Sequence, residues 1–182
     1  SPSHKVTTVY YRSGRIDLIY SDRIYNLVGI SDNSMLNDKT ATRIFYHKDY
    51  AFIAGRFGLM QIDLSNHQIA ATAFLGKEVL DAFALDEKLY ALTSEGLRSS
   101  TLSQNLQDPA SWSLVEGLPQ KEIISAAALP DGSLWYIDSL HTLYRSTLPQ
   151  VSATPQTMAQ SGWAEQLFPT ADGVAVAGAD SL

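Results

Sequence analysis

Along this chain, short runs of alternating apolar and polar residues are broken by tight polar turns, and no stretch sustains apolar positions at i, i+3, i+4 and i+7. In Gly58 to Leu64, Leu59, Gln61 and Asp63 share one side while Met60, Ile62 and Leu64 share the other, which predicts a half-buried strand. The turns between such runs are His47-Lys48-Asp49, Asp86-Glu87-Lys88, Pro130-Asp131-Gly132 and Ala171-Asp172-Gly173, rich in the Asp and Gly that hairpins favour. The pattern predicts antiparallel β-structure almost throughout.

The pattern also repeats. Four segments superpose: RIFYHKDYAFIAGRFGLMQIDL from Arg43, DAFALDEKLYALTSEGLRSSTL from Asp81, SAAALPDGSLWYIDSLHTLYRSTL from Ser125 and EQLFPTADGVAVAGADSL from Glu165. Their second strands place Tyr50, Leu89, Leu134 and Val174 at equivalent positions, roughly 40 to 45 residues apart, the period of propeller blades. The predicted fold is all-β, a partial β-propeller of about four blades of four antiparallel strands plus incomplete terminal blades. Blade boundaries are predicted at residues 1–30 (incomplete), 31–76, 77–118, 119–162 and 163–182 (incomplete). The first blade is read as three strands, Val6 to Arg12, Arg15 to Tyr20 and Arg23 to Val28, with its innermost strand missing. The last is read as the strands Ala164 to Thr170 and Val174 to Ala179. Polar joins fall at Ser31 to Thr40, near Gly76, at Glu116 to Gln120 and around Ser161-Gly162. Pro149 to Thr157, with Pro149, Ser152, Thr154 and Pro155, leads into an outer strand, and Ser103 to Ser111 forms a long surface loop before Trp112. Both ends are expected to be open. An arc with exposed sheet faces and unpaired edges is expected to self-associate.

Composition narrows the function classes. Of 182 residues 45% are apolar, enough for a core, and no apolar run approaches the roughly 20 residues that span a bilayer, so no membrane span is expected in this chain. Thirteen Lys and Arg against 19 Asp and Glu give a net charge of −6 with the basic residues scattered, which argues against nucleic acid as a partner. The absence of cysteine removes disulfides, thiolate metal sites and cysteine nucleophiles.

Candidate chemistry is sparse. His4, His47, His67 and His141 lack metal-ligand spacing. Asp32, Asn33, Asn37 and Asp38 crowd the Ser31 to Lys39 loop, but without the Asp-x-Asp-x-Asp-Gly spacing and bidentate Glu of a calcium loop, so a solvated connector is expected. Gly55-Arg56-Phe57-Gly58 follows a strand without opening a helix and reads as a hairpin turn, not a phosphate cradle. Trp112, Trp135 and Trp163, with Tyr10, Tyr11, Tyr46, Tyr50 and Tyr136, could stack on a sugar. Trp135 and most of the others read as core, and Trp112 and Trp163 as the candidates for exposure. Asp86-Glu87 sits in one turn and points to solvent, giving no acid-base pair. No catalytic residue, metal site or cofactor is predicted, and the expectation is a chain that is not an enzyme.

Gly117 to Arg145 resembles the two-component regulator propeller repeat of Bacteroidetes sensors, on Asp131, Gly132, Leu134 and Trp135, with Asp138-Ser139 in place of the usual Gly-Thr. SGRIDLIYSDRIYNLVGI from Ser13 and FYHKDYAFIAGRFGLMQIDLSNHQI from Phe45 are similar to the PorZ-like family of type IX secretion, a resemblance that covers Val6 to about Leu118. It implies an exported protein, periplasmic or associated with the outer membrane, with two propellers and a small C-terminal β-domain. It also implies work beside the sortase that attaches anionic lipopolysaccharide to cargo, and no catalytic residues. The expected function is a non-catalytic interaction module whose partner is a protein of the secretion machinery or a lipopolysaccharide or other glycan. The alternative is the periplasmic half of a hybrid two-component histidine kinase that recognises a glycan.

Overall fold

The computed structural model describes residues 5–118, 123–148, 156–160 and 162–178. The expectations for His4, Gln120, Pro149, Ser152, Thr154, Pro155, Ser161 and Ala179 fall outside the described residues. Apart from one 3-10 turn at Pro109–Ser111, the regular structure is β. Two compact units are present: residues up to Val79 with Leu106–Pro109, and Leu80–Asn105 with the described residues from Ala110 on.

The first unit holds two antiparallel sheets. One has three strands, β1 (Thr7–Tyr10), β2 (Ile16–Ile19) and β3 (Ile24–Leu27), in chain order. The other has four, β4 (Ala41–His47), β5 (Tyr50–Gly55), β6 (Gly58–Asp63) and β7 (Gln68–Ala73). Tight turns set the registers, and Lys48 at φ 52° supplies the left-handed residue of the β4–β5 hairpin without glycine. Ile16 and Leu18 of β2 pack with Ile53, Met60 and Ile62 in one apolar cluster. Each such side chain, fully buried, contributes roughly 1.5–3 kcal/mol. Polar ties cross the same seam: Tyr46 Oη accepts from Thr8 N at 3.0 Å, and Tyr20 Oη donates to Leu64 O at 3.0 Å.

The half-buried expectation for Gly58 to Leu64 needs correction. Leu59 and Gln61 are buried on one face of β6, and Met60 and Ile62 are fully buried on the other. Alternation is a local signal that cannot report whether both faces of a strand are buried, and here both are.

The second unit contains β8 (Val79–Leu85), β9 (Lys88–Thr93), β10 (Gly96–Thr101) and the two-residue β11 (Ser113–Leu114) as one sheet. A second sheet is β12 (Ile123–Ala128), β13 (Ser133–Asp138), β14 (Thr142–Thr147) and β15 (Gln156–Gln160), and a pair is formed by β16 (Gln166–Pro169) and β17 (Val174–Ala177). The second-strand positions inferred from the repeat, Tyr50, Leu89, Leu134 and Val174, all fall in or at the start of the observed second strands β5, β9, β13 and β17. β12 lies against both β9 and β16. The seams are filled by Leu92, Leu97, Leu134 and Tyr136 on one side and by Ile137 and Leu167 on the other.

The first strands of two sheets carry the same irregularity. Pairing shifts between Ala41 and Arg43 on β4 and between Ile123 and Ser125 on β12, a β-bulge that re-aims the side chains next to it.

Candidate functional site

Within the first unit, a cleft of about 410 Å³ opens between the end of β1 and the start of β4, lined by Tyr10, Arg12 and the run Thr40 to Ile44. Local turn chemistry places each wall. Tyr11 N donates to Arg15 O at 2.9 Å and Gly14 N to Tyr11 O at 2.8 Å, a closed turn with Arg12 exposed on it. On the other side the Ser31 to Thr40 connector delivers the chain into β4: Lys39 Nζ donates to Ser31 O at 2.7 Å, and Tyr10 Oη donates to Lys39 O at 2.7 Å. Burial, and then the charge of Asp38, push the Tyr10 hydroxyl up to about 12. Its ring stacks on Phe57 with centroids 5.9 Å apart.

Charge gathers here. Arg56, at the tip of the β5–β6 turn, donates its backbone N–H to Thr40 O at 3.0 Å and sets Nε 3.5 Å from Asp38 and 3.4 Å from Glu78. The Asp38 carboxyl is held below the usual carboxylate range by the Thr40 hydroxyl and backbone N–H, with Arg56 and Arg12 adding to the effect. That turn depends on its glycine. Gly58 has φ 121°, and a Cβ there would run into the Ala73 carbonyl oxygen. Arg43 is 8% exposed, and the Thr42 hydroxyl donates to Val79 O at 2.9 Å. Arg12 and Arg43 line this cleft, while Lys39 and Arg56 lie beside it, held by Ser31 O and by Asp38 and Glu78. Spacing alone carries no signal for it, because its lining comes from two parts of the chain well separated in sequence.

The Ser31 to Lys39 polar residues do not converge on a cation. Asn33 Oδ1 accepts from Met35 N at 3.0 Å, Ser31 Oγ donates to Asp32 Oδ1 at 3.0 Å and Asp38 Oδ1 accepts from Thr40 N at 2.9 Å. Among the described residues no three His, Asp or Glu side chains are grouped to hold a metal. His67 stacks on Tyr25 with centroids 3.8 Å apart, and His141 Nδ1 lies 2.7 Å from Ala164 O. Asp86 and Glu87 are exposed on the β8–β9 turn.

The aromatic candidates divide. Trp163 is 48% exposed, as its position near a blade end predicts, but Trp112 is 4% exposed and belongs to the interior, a correction. It immediately precedes the short β11, where Val115 N donates to Leu97 O at 2.8 Å and draws the segment inward. Tyr136 is 1% exposed, and Trp135 lies under the Arg145 guanidinium, 5.5 Å from the ring centroid. Tyr11 is 45% exposed and donates to Asp17 Oδ2 at 2.7 Å.

The second unit contains a polar feature that sequence reading missed. Asp81 of β8, 1% exposed, accepts from Ser125 Oγ at 2.5 Å, from Ala126 N at 3.1 Å and from its own neighbour Ala82 N at 2.8 Å. Ser125 Oγ in turn accepts from Leu167 N at 2.9 Å. Three first strands, β8, β12 and β16, are joined by this buried chain. A signal existed, since Asp81 and Ser125 are the polar residues that open two of the superposed segments.

The family described as the PorZ N-terminal β-propeller domain of type IX secretion matches residues 1–113. Among solved structures, PorZ of Porphyromonas gingivalis, described as an essential bacterial surface component of the type IX secretion system, is similar over 96% of this chain at 28% identity and a TM-score of 0.85. The match covers 23% of the PorZ chain, so the present chain spans under a quarter of that length. The computationally designed Ika8 protein (13% identity, TM-score 0.64, 96% of this chain and 52% of that one) shares the fold alone. The N-terminal domain of Nup159 does so more distantly (14% identity, TM-score 0.50, 87% of this chain and 42% of that one). No curated protein matches the chain.

Proposed function

The chain belongs to the PorZ N-terminal β-propeller family, and from that premise we propose that it is a non-catalytic interaction module of an exported type IX secretion component, held at the cell surface and engaging proteins of that machinery. The observation that carries this reading is the likeness to a surface component of the system over nearly the whole chain.

The use of the acidic side chains supports the non-catalytic part. Asp63 accepts from the backbone of Ser65 and Asn66, Asp131 from Ser133, and Asp138 from Leu140 and Thr142. These carboxyls are spent on closing turns: burial works against the Asp63 carboxylate, but hydrogen bonds from Asn66 and Ser65 hold it below the usual carboxylate range, and the Ser133 hydroxyl, then its backbone N–H, do the same for Asp131. A propeller whose acids hold its loops is suited to presenting a fixed surface.

The test is a chromosomal deletion of this segment in the bacterium that encodes it, read by the location of type IX cargo. Cargo retained inside the outer membrane and missing from the surface is the expected result. Normal surface display would overturn the reading.

A further inference from the structure

We infer that this chain pairs head-to-tail with a second copy of itself, the uncovered face of β16–β17 on one copy packing against the uncovered face of β1–β3 on the other. Strand register sets both faces. In the first sheet, Ile16, Leu18 and Leu27 enter the cluster shared with β5 and β6, and alternation turns Asp17, Ile19, Ile24 and Asn26 the other way. Ile24 is 58% and Val28 56% exposed, and Tyr11 reaches the same face, where its hydroxyl donates to Asp17. In the last pair, Leu167, Val174 and Val176 pack with Ala127 and Ile137, while Phe168, Ala175 and Ala177 stand exposed on the opposite side. Large apolar side chains gathered on one exposed face mark a docking surface.

The two faces suit each other. Within the second unit, the β12–β15 sheet turns Leu134 and Tyr136 toward the preceding sheet, in the cluster with Leu92 and Leu97, and turns Ile137 toward the following pair, beside Leu167. By that pattern the uncovered face of the first sheet is the one that receives a preceding sheet, and that of the last pair is the one that receives a following sheet. Sheets stacked in this way interdigitate side chains from both faces, and a contact between two different patches is head-to-tail. Charge agrees, since residues 5–28 carry Lys5, Arg12, Arg15 and Arg23 against Asp17 and Asp22, whereas residues 162–178 carry Glu165 and Asp172 with no basic residue. Covering the first face leaves Asp17 satisfied, because it accepts from Tyr11 Oη and Asn26 Nδ2, both at 2.7 Å. Size agrees as well: 96% of this chain matches 52% of the designed Ika8 protein, so one molecule of that fold has room for about two lengths of this chain.

The experiment measures the mass of the purified chain by light scattering over a dilution series, for the parent, Ile24→Asp and Phe168→Asp. The parent is expected at twice the mass of one chain. Each variant buries a carboxylate in the contact, so its dimer should dissociate at a concentration about tenfold or more higher than the parent's. Both side chains are exposed in the single chain, and the far-ultraviolet circular dichroism spectrum of each variant should match the parent's. Mixing the two variants is the decisive arm. Ile24→Asp keeps an intact β16–β17 face and Phe168→Asp an intact β1–β3 face, so a head-to-tail contact predicts that the mixture recovers a dimer which neither variant forms alone. That recovery also shows that both variants are folded. A monomeric parent, an assembly larger than two copies, a variant that dimerises like the parent, or a mixture that stays monomeric would each overturn the inference.

Discussion

The bulged starts of β4 and β12 share a backbone device and put it to opposite uses. In β12 the shift between Ile123 and Ser125 points the Ser125 hydroxyl into a closed network with Asp81 and the Leu167 N–H, all of it buried. In β4 the corresponding shift between Ala41 and Arg43 lies along an open cleft that the exposed Arg12 also lines, with Arg56 beside it between Asp38 and Glu78. A buried polar network that is fully satisfied specifies one packing of the strands around it. A charged cleft that keeps contact with solvent adds little to stability and can hold charge for a ligand. The repeat thus conserves geometry while its side chains divide between holding the fold and presenting a surface.

Breaking the buried side should have the largest effect. Asp81→Ala leaves Ser125 Oγ and the Ala82 and Ala126 N–H groups without their acceptor, and the expected loss is about 2–4 kcal/mol in urea denaturation. Ser125→Ala, which retains the acceptor but deletes the link to Leu167, should cost about 1–2 kcal/mol. Equal, small losses for both would mean the network is not what joins β8, β12 and β16.

On the cleft side, the most sensitive position is backbone. Gly58→Ala forces a Cβ against the Ala73 carbonyl at a φ of 121°, and a loss of about 2–3 kcal/mol is expected by the same measurement. The result should also displace the Arg56 N–H from Thr40 O.

Alkaline titration compares one tyrosine from each region. Tyr10 in the cleft and Tyr136 in the second unit are both pushed up to about 12, chiefly by burial, from an ordinary value of 10.0. Between pH 10 and 12 the unfolded chain releases protons that the folded chain retains, so the stability present below pH 10 is lost as pH rises toward 12. Tyrosinate absorbance should lose one late-titrating group in Tyr10→Phe and another in Tyr136→Phe. The two variants should differ in stability. Tyr10 donates to Lys39 O, and losing that bond should cost about 1 kcal/mol. The Tyr136 hydroxyl is buried without a hydrogen-bond partner among the described residues, so Tyr136→Phe should be neutral or slightly stabilising.

The smallest effect is expected where the charge is most exposed. Arg12→Glu should change the urea midpoint by no more than corresponds to about 0.5 kcal/mol, the ordinary size of a surface substitution. A larger loss would move Arg12 from the presenting side of the comparison to the holding side.

The sequence by itself determined the strands, their turns and their period. Alternation at Gly58 to Leu64, the Asp and Gly of the hairpins and the spacing of Tyr50, Leu89, Leu134 and Val174 are local facts that neighbouring residues settle among themselves. The exposure of Trp163 was legible for the same reason, lying at a turn beside a strand start. Burial was not. Trp112, Leu59 and Gln61 are buried where the local pattern reads as exposed or half-exposed, because burial is set by packing in space and not by the order of residues along the chain. The Asp81–Ser125–Leu167 chain spans three repeats, and the cleft draws Tyr10, Arg12 and the run Thr40 to Ile44 from both sheets of the first unit and from the connector between them. Hydrogen bonds and charge interactions of that range exist only once the sheets have paired and packed, because hydrogen-bond distances and Coulomb energies depend on separation in space and not along the chain.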